Sequence, residues 1–187
     1  MKQIIPFAHQ LFIDTIQQGD VVVDATLGNG HDSLMLSQLV GENGRVYSFD
    51  IQQEAIDQSQ QMFNDHLAKQ ITPILRGNEH VYEELTKRNV NEIDGAIFNL
   101  GFLPGSDQSI TTNANTTIEA IEGILKLLKP ERYIVIVIYS GHETGEIEKN
   151  ELLEYLATKP AKEVDIAKYQ MVNRSKKAPF VVAVYKK

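Results

Sequence analysis

Residues 133–139, YIVIVIY, are β-branched or aromatic at every position. Side chains along a strand point alternately to opposite faces, so such a run is stable only where both faces are covered. That places it in the middle of a largely parallel sheet between two layers of helices. The rest of the chain alternates in keeping with this. Runs at 21–25, 45–50, 72–75 and 94–99 read as strands, and 31–40, 52–69, 79–88 and 111–128 carry apolar residues at helical spacing. A helix at 146–157 and strands at 163–169 and 179–185 follow. The order predicts an α/β sheet with helices on both faces and a terminal hairpin. No repeat, low-complexity tract or linker interrupts it, so residues 1–187 are expected to form a single domain.

The chain has no cysteine, which excludes disulfides, thiolate zinc sites, iron–sulfur clusters and a cysteine nucleophile. No two of the five histidines have a metal-binding helical spacing, so no metal is expected. No apolar run approaches the roughly 20 residues that span a bilayer, and the first ten residues lack the layout of a secretory signal. The expectation is a cytoplasmic protein without a membrane partner.

Residues 21–32, VVVDATLGNGHD, join the first strand to the first helix of this alternation. Gly28 and Gly30 let the backbone turn tightly and approach a ligand beyond the strand end. Twenty residues past Gly30, the second strand ends in Asp50, placed to accept hydrogen bonds from ribose hydroxyls. NAD and S-adenosylmethionine (SAM) share that layout. A dinucleotide site favours G-x-G-x-x-G/A, but Ser33 follows Gly30 at that offset. Asp24 and Asp32 also flank the loop; two carboxylates repel a pyrophosphate and attract the cationic methionine end of SAM. SAM is the expected cofactor. An NAD(P) oxidoreductase would further want a Tyr-x-x-x-Lys pair, and Tyr139 has Glu143 at that offset.

The fourth strand runs into Asn99-Leu100-Gly101-Phe102-Leu103-Pro104-Gly105. An Asn followed three residues later by an aromatic resembles the N/D-P-P-Y/F motif of nitrogen methyltransferases. The carboxamide oxygen can accept from an NH2 group and aim its lone pair, while the ring packs on a planar base. A tight turn capping a buried strand is the steric alternative. Covalent C5 methylation of a pyrimidine needs a cysteine and is excluded.

DATLGNGHD, Asp50, NLGFLPG and YSGHETGEIE together resemble the YtqB-like/MnmM family of small SAM-dependent methyltransferases, labelled rRNA methylases, over about residues 9–185. The resemblance implies a class I, Rossmann-like, seven-stranded sheet with an antiparallel last strand. It also implies methylation of the aminomethyl nitrogen of tRNA wobble uridine 34, giving 5-methylaminomethyl-2-thiouridine. Carried over by position, Asp24, Thr26, Gly28, Asn29, Gly30 and Asp32 surround the methionine part of SAM. Asp50 holds the ribose with Gln52 and Gln53 beside it, and Asn78, Glu79 and His80 border the adenine. Asn99 and Leu100 face the methyl group. Phe102, Pro104, Gly105, Tyr139 and His142 line the acceptor side. His142 is either a base or a turn-shaping residue, since desolvation alone can depress an amine pKa.

The net charge of −7 argues against a nucleic-acid partner until its distribution is considered. Residues 159–187 carry eight Lys or Arg against two carboxylates, a local +6 on an acidic body. Asn173, Arg174, Lys176 and Lys177 there are expected to meet the tRNA backbone, although family members tend to be Asn- and Pro-rich at this place. Ordinary solvated lysines are the alternative. The catalytic domain must bind tRNA itself, and a homodimer, which would widen the surface, is the expected assembly. An rRNA base N-methyltransferase, a small-molecule methyltransferase and a non-catalytic RNA- or SAM-binding module remain open at this point.

Overall fold

Seven strands form one sheet in the order β3-β2-β1-β4-β5-β7-β6. They are β1 (Val21–Asp24), β2 (Arg45–Asp50), β3 (Ile71–Leu75), β4 (Ile93–Leu100), β5 (Leu128–Ile138), β6 (Val164–Tyr169) and β7 (Phe180–Lys186). The helices are α1 (Ile4–Thr15), α2 (His31–Val40), α3 (Gln53–Asp65), α4 (Val81–Lys87), α5 (Ala114–Leu127) and α6 (Glu143–Ala157). The computed structural model describes all residues except 102–113, 140–142 and 176. Phe102, Pro104, Gly105, His142 and Lys176 therefore lie outside the described residues.

Pairings from β3 through β5 are parallel, and β7 runs antiparallel to both β5 and β6. The last strand is thus the reversed one, as expected. From β1 the chain winds outward through β2 and β3, then returns across β1 to lay down β4. Neighbouring strands diverge in direction of winding between β1 and β4, and a crevice opens there beyond their carboxyl ends.

Alternation along the strands divides the core in two. Val23, Ala96, Phe98, Ile134, Ile136 and Ile138 share one face with Leu85 of α4, Ile121 and Ile124 of α5, and Leu152 and Leu156 of α6. Val22, Ile97, Val135, Val137 and Val181 share the other with Ala8 and Phe12 of α1, Leu36 of α2 and Phe63 of α3. Residues 134–138 are all buried, which is the two-sided burial that their composition requires.

Two features depart from the expected elements. Helix α1 was not anticipated; Ile4, Ala8 and Phe12 repeat every fourth residue on its buried stripe, continued by Ile16 just beyond. Pro6 stands within its first turn, where a missing N–H costs little. The helix packs across β5 and β7. Strand β5 also starts earlier than expected: Leu128 pairs with Ile93, and the register shifts before Gly95 pairs with Tyr133. Between them Pro130 offers no amide, and Glu131 adopts φ 61°.

At the amino ends of the strands a buried carboxylate ties three of them together. Asp94 Oδ2 accepts from the Val21 amide at 3.0 Å, and Oδ1 accepts from Lys129 Nζ at 2.8 Å. Arg132 Nε lies 3.6 Å away. The bond to Asp94 holds the Lys129 pKa above its ordinary value. Replacing Asp94 by Ala leaves the Val21 amide without its acceptor. The expected loss is about 1–3 kcal/mol, seen as a lower urea midpoint with an unchanged slope. An unaltered midpoint would show that the carboxylate does not fasten these strands.

Candidate active site

The loop from β1 to α2 turns on two glycines with positive φ, Gly28 at 47° and Gly30 at 77°. A Cβ at Gly30 would lie 2.8 Å from Phe63 Cζ and 2.9 Å from Ser59 Cβ, so the loop packs directly onto α3. Only glycine combines that conformation with that approach. The Gly30 carbonyl then accepts from the Leu34 amide at 2.9 Å and starts α2, leaving Asn29 exposed at the tip.

Asp24, the last residue of β1, is wholly buried. Its Oδ2 accepts from the Ser33 hydroxyl at 2.5 Å and its Oδ1 from the Thr26 amide at 3.1 Å. Ser33 Oγ also lies 2.7 Å from Ser48 Oγ on β2. Burial and the charge of Asp32 push the Asp24 pKa up to about 7, against the pull of the Ser33 and Thr26 hydrogen bonds. Asp50 at the end of β2 accepts from the Gly28 amide through Oδ2 and the Gln52 amide through Oδ1, both at 2.9 Å. Each carboxylate oxygen has a second acceptor direction, so Asp50 keeps capacity for a ligand's hydroxyls.

Asp32 sits in the first turn of α2. Its Oδ1 is 2.7 Å from His9 Nε2 on α1, and its Oδ2 accepts from Asn99 Nδ2 at 3.2 Å. The Asn99 amide donates to Thr26 Oγ1 at 2.7 Å. Strand β4 is thereby fastened to the glycine loop through both backbone and side chain. Leu100 is buried, and its carbonyl accepts from the Tyr139 amide at 3.1 Å. Partial burial and the nearby charge of Asp32 raise the Tyr139 pKa.

Asp24, Thr26, Asn99 and Asp32 are thus drawn into one hydrogen-bonded network at the switch between β1 and β4, with the Asp50–Gly28 pair beside it. Asn78 joins it differently from the other residues after β3: its Nδ2 donates to the Ala25 carbonyl at 3.0 Å, bracing the end of β1. Glu79 folds over Gly77, and His80 lies between Glu79 at 3.4 Å and Glu83 at 3.5 Å. Gln53 donates to Asp57 on its own helix, while Gln52 meets Asp50 through its backbone. Asn173, Arg174 and Lys177 stand exposed between β6 and β7, on the same edge of the sheet but apart from the cluster. There a cleft of about 240 Å³ separates Met171, Arg174 and Pro179 from Gln3, Ile4 and Pro6. Phe7 stacks on Tyr169 beside it at 3.9 Å.

His9, Ser33 and Ser48 belong to the cluster without having been singled out. Ser33 stood out in the sequence only as a departure from the dinucleotide pattern, whereas here it is the donor that holds Asp24. His9 carried no local signal, because its partner lies 23 residues away on another helix. Among the described residues no three His, Asp or Glu side chains could hold a metal ion. No helix there is long and apolar enough to cross a membrane. Chemically, the cluster offers carboxylate acceptors for hydroxyls and for positive charge, with a carboxamide at the strand end facing the same crevice.

Residues 46–185 match the family described as Putative rRNA methylase. A chloroplastic protein of Arabidopsis thaliana, "tRNA (mnm(5)s(2)U34)-methyltransferase", is 32% identical over the whole of this chain and 70% of its own length. A putative rRNA-methylase from Clostridium thermocellum superposes with a TM-score of 0.94 at 36% identity, covering 100% of this chain and 99% of that one. SMU.1697c, a putative methyltransferase from Streptococcus mutans solved in complex with SAH, does so with a TM-score of 0.89 at 30% identity and the same coverage. With a sheet of class I methyltransferase topology and a family match over three quarters of its length, the chain belongs to the putative rRNA methylase family.

Proposed function

We propose that the protein is a SAM-dependent RNA methyltransferase, formed by residues 1–187 as one domain, that methylates the aminomethyl nitrogen of wobble uridine 34 in tRNA. The observation that carries this reading is the Asn99 carboxamide at the end of β4, held by Asp32 while Thr26 fastens the Asn99 backbone amide beside the glycine loop. The name of the Arabidopsis relative supports the acceptor, and the SAH complex of the Streptococcus mutans relative supports the cofactor.

The residues present fit SAM. Asp50 has spare acceptor directions for two ribose hydroxyls, and Asp24 and Asp32 supply negative charge where a methionine ammonium and sulfonium would lie. Asn78 and the turn that contains Glu79 and His80 would border the adenine. When bound, SAM supplies an electrophilic methyl group on a sulfonium sulfur. Asn99 would accept an N–H from the substrate amine and turn the nitrogen lone pair toward that methyl. The N–C bond forms as the S–C bond breaks, and its electron pair stays on sulfur. An aliphatic ammonium has a pKa near 10, so its proton must leave before attack. Burial beside a cation favours the neutral amine, and most of the rate then comes from holding nitrogen and carbon about 3 Å apart on one axis. Tyr139, Phe102, Pro104, Gly105 and His142 would line the acceptor side, and Asn173, Arg174, Lys176 and Lys177 would meet the RNA backbone. The family's description favours rRNA as the second reading.

Nucleoside mass spectrometry after parallel incubations, with methyl-labelled SAM, of tRNA that carries 5-aminomethyl-2-thiouridine and of rRNA decides between these substrates. The expected product is its N-methyl form; label appearing only in rRNA would replace the tRNA assignment. Asn99→Ala should bind SAM within a few-fold of wild type yet lose transfer by about 30- to 1000-fold in a single turnover. Near-normal turnover would remove Asn99 from the mechanism.

Asp24 adds a pH signature. Its carboxyl ionises at about 7 in the fold against 3.8 ordinarily, so between these values the fold holds a proton that the unfolded chain has released. Its contribution to stability therefore falls as pH rises through that window. A cationic ligand favours the ionised form and expels the proton. SAM affinity should accordingly tighten from pH 5.5 to 7, by at most about tenfold per unit, and then level off. Calorimetry on Asp24→Asn should give a flat profile; an equal slope in both proteins would assign the effect elsewhere.

Charge reversal at Arg174, Lys176 and Lys177 should weaken tRNA binding and flatten its salt dependence, with SAM affinity unchanged. A salt slope equal to wild type would show that these cations are merely solvated.

A further inference from the structure

We infer that His9 is a positioning residue for methyl transfer, setting the orientation of the Asn99 carboxamide through Asp32; this rests on the proposed role of Asn99. A carboxylate only accepts hydrogen bonds, so both neighbours of Asp32 must present donors to it. His9 therefore presents Nε2–H to Oδ1, and Asn99 presents its NH2 to Oδ2. The Asn99 carbonyl oxygen is left on the opposite side of the amide, turned away from Asp32. That is the atom which an amine N–H needs as an acceptor. Were the carboxamide reversed, its oxygen would face a carboxylate and be repelled.

Asp32 can impose this orientation only if its own plane is fixed. Rotation about the terminal bond of an Asp is broad, and the neighbouring Asp24 is a like charge that offers Asp32 no donor to fix its plane. His9 is the donor that pins Oδ1 and thereby aims Oδ2 at Asn99. The ring is itself held. Ile4, Ala8 and Phe12 bury the far stripe of α1 in the core, and Phe7 stacks on Tyr169. The His9 side chain is 24% exposed, so water competes weakly for its donor.

Variants of the full-length protein test the relay. His9→Leu removes the donor, and His9→Gln keeps an N–H near the position of Nε2. Single-turnover transfer to tRNA should fall about 5- to 50-fold in His9→Leu and stay within about threefold of wild type in His9→Gln. SAM dissociation constants should move less than the transfer rate. In an Asn99→Ala background, His9→Leu should cause no further loss, because the effect passes through Asn99. Losses that multiply in the double variant would overturn the inference. So would a His9→Leu protein that transfers like wild type, or His9→Gln and His9→Leu proteins equally impaired. The Asn99 side-chain amide resonances offer a readout without RNA: they should shift in His9→Leu and hold in His9→Gln, and unchanged resonances in both would also overturn it. If wild-type protein fails to methylate tRNA while these resonances respond as expected, the substrate assignment falls and the relay stands.

Discussion

Three carboxylates converge where β1 and β2 end, and none has a lysine or arginine against it among the described residues. Asp24, Asp32 and Asp50 present six oxygens, and six donors meet them one to one: the Thr26 amide, the Ser33 hydroxyl, His9, the Asn99 carboxamide, and the amides of Gln52 and Gly28. Amide, hydroxyl and imidazole groups orient these carboxylates, and none of them carries the permanent charge of a guanidinium. The cluster therefore keeps a negative potential, which adds to burial in raising the pKa of Asp24. Such a site is poised for a ligand that brings its own positive charge.

The topology makes this convergence feasible. Parallel strands deliver their carboxyl ends to one edge, and the reversal of winding between β1 and β4 leaves that edge open rather than roofed by a crossover. Thr26 and Asn99 stitch β1 to β4 across the opening, Asn78 braces the turn after β3, and Ser48 reaches Ser33 from β2. Asp94 fastens the opposite ends of the same strands. Polar groups thus lie at the two ends of an apolar slab.

Much of this could be read in the sequence, and for local reasons. Strand β5 announces two-sided burial in residues 133–139, while the glycine loop and Asp50 are separated by a spacing that the βαβ unit fixes. What escaped reading was non-local. Helix α1 has a four-residue stripe in Ile4, Ala8 and Phe12, but Ile5, Phe7 and Leu11 beside it blur the amphipathic pattern, and Pro6 suggests a break. The roles of His9 and Ser33 depend on which carboxylates face them, and neither spacing nor residue type encodes that. Asn78, expected to border the adenine, also donates to the Ala25 carbonyl, a bond between residues 53 apart that has no local signature.

The docking of α1 has a consequence for assembly. Residues 4–15 lie across β5 and β7, and Tyr169 donates to the Lys2 carbonyl. These are contacts of very large sequence separation, which form late because long loops must close first. On a ribosome the helix emerges well before the strands that receive it. His9 can reach Asp32 only once α1 has docked, so the hydrogen-bonded cluster is completed by a tertiary contact rather than by the glycine loop alone. A chain in which α1 has not docked would carry the glycine loop and every carboxylate of the cluster, yet lack the His9 donor that meets Asp32.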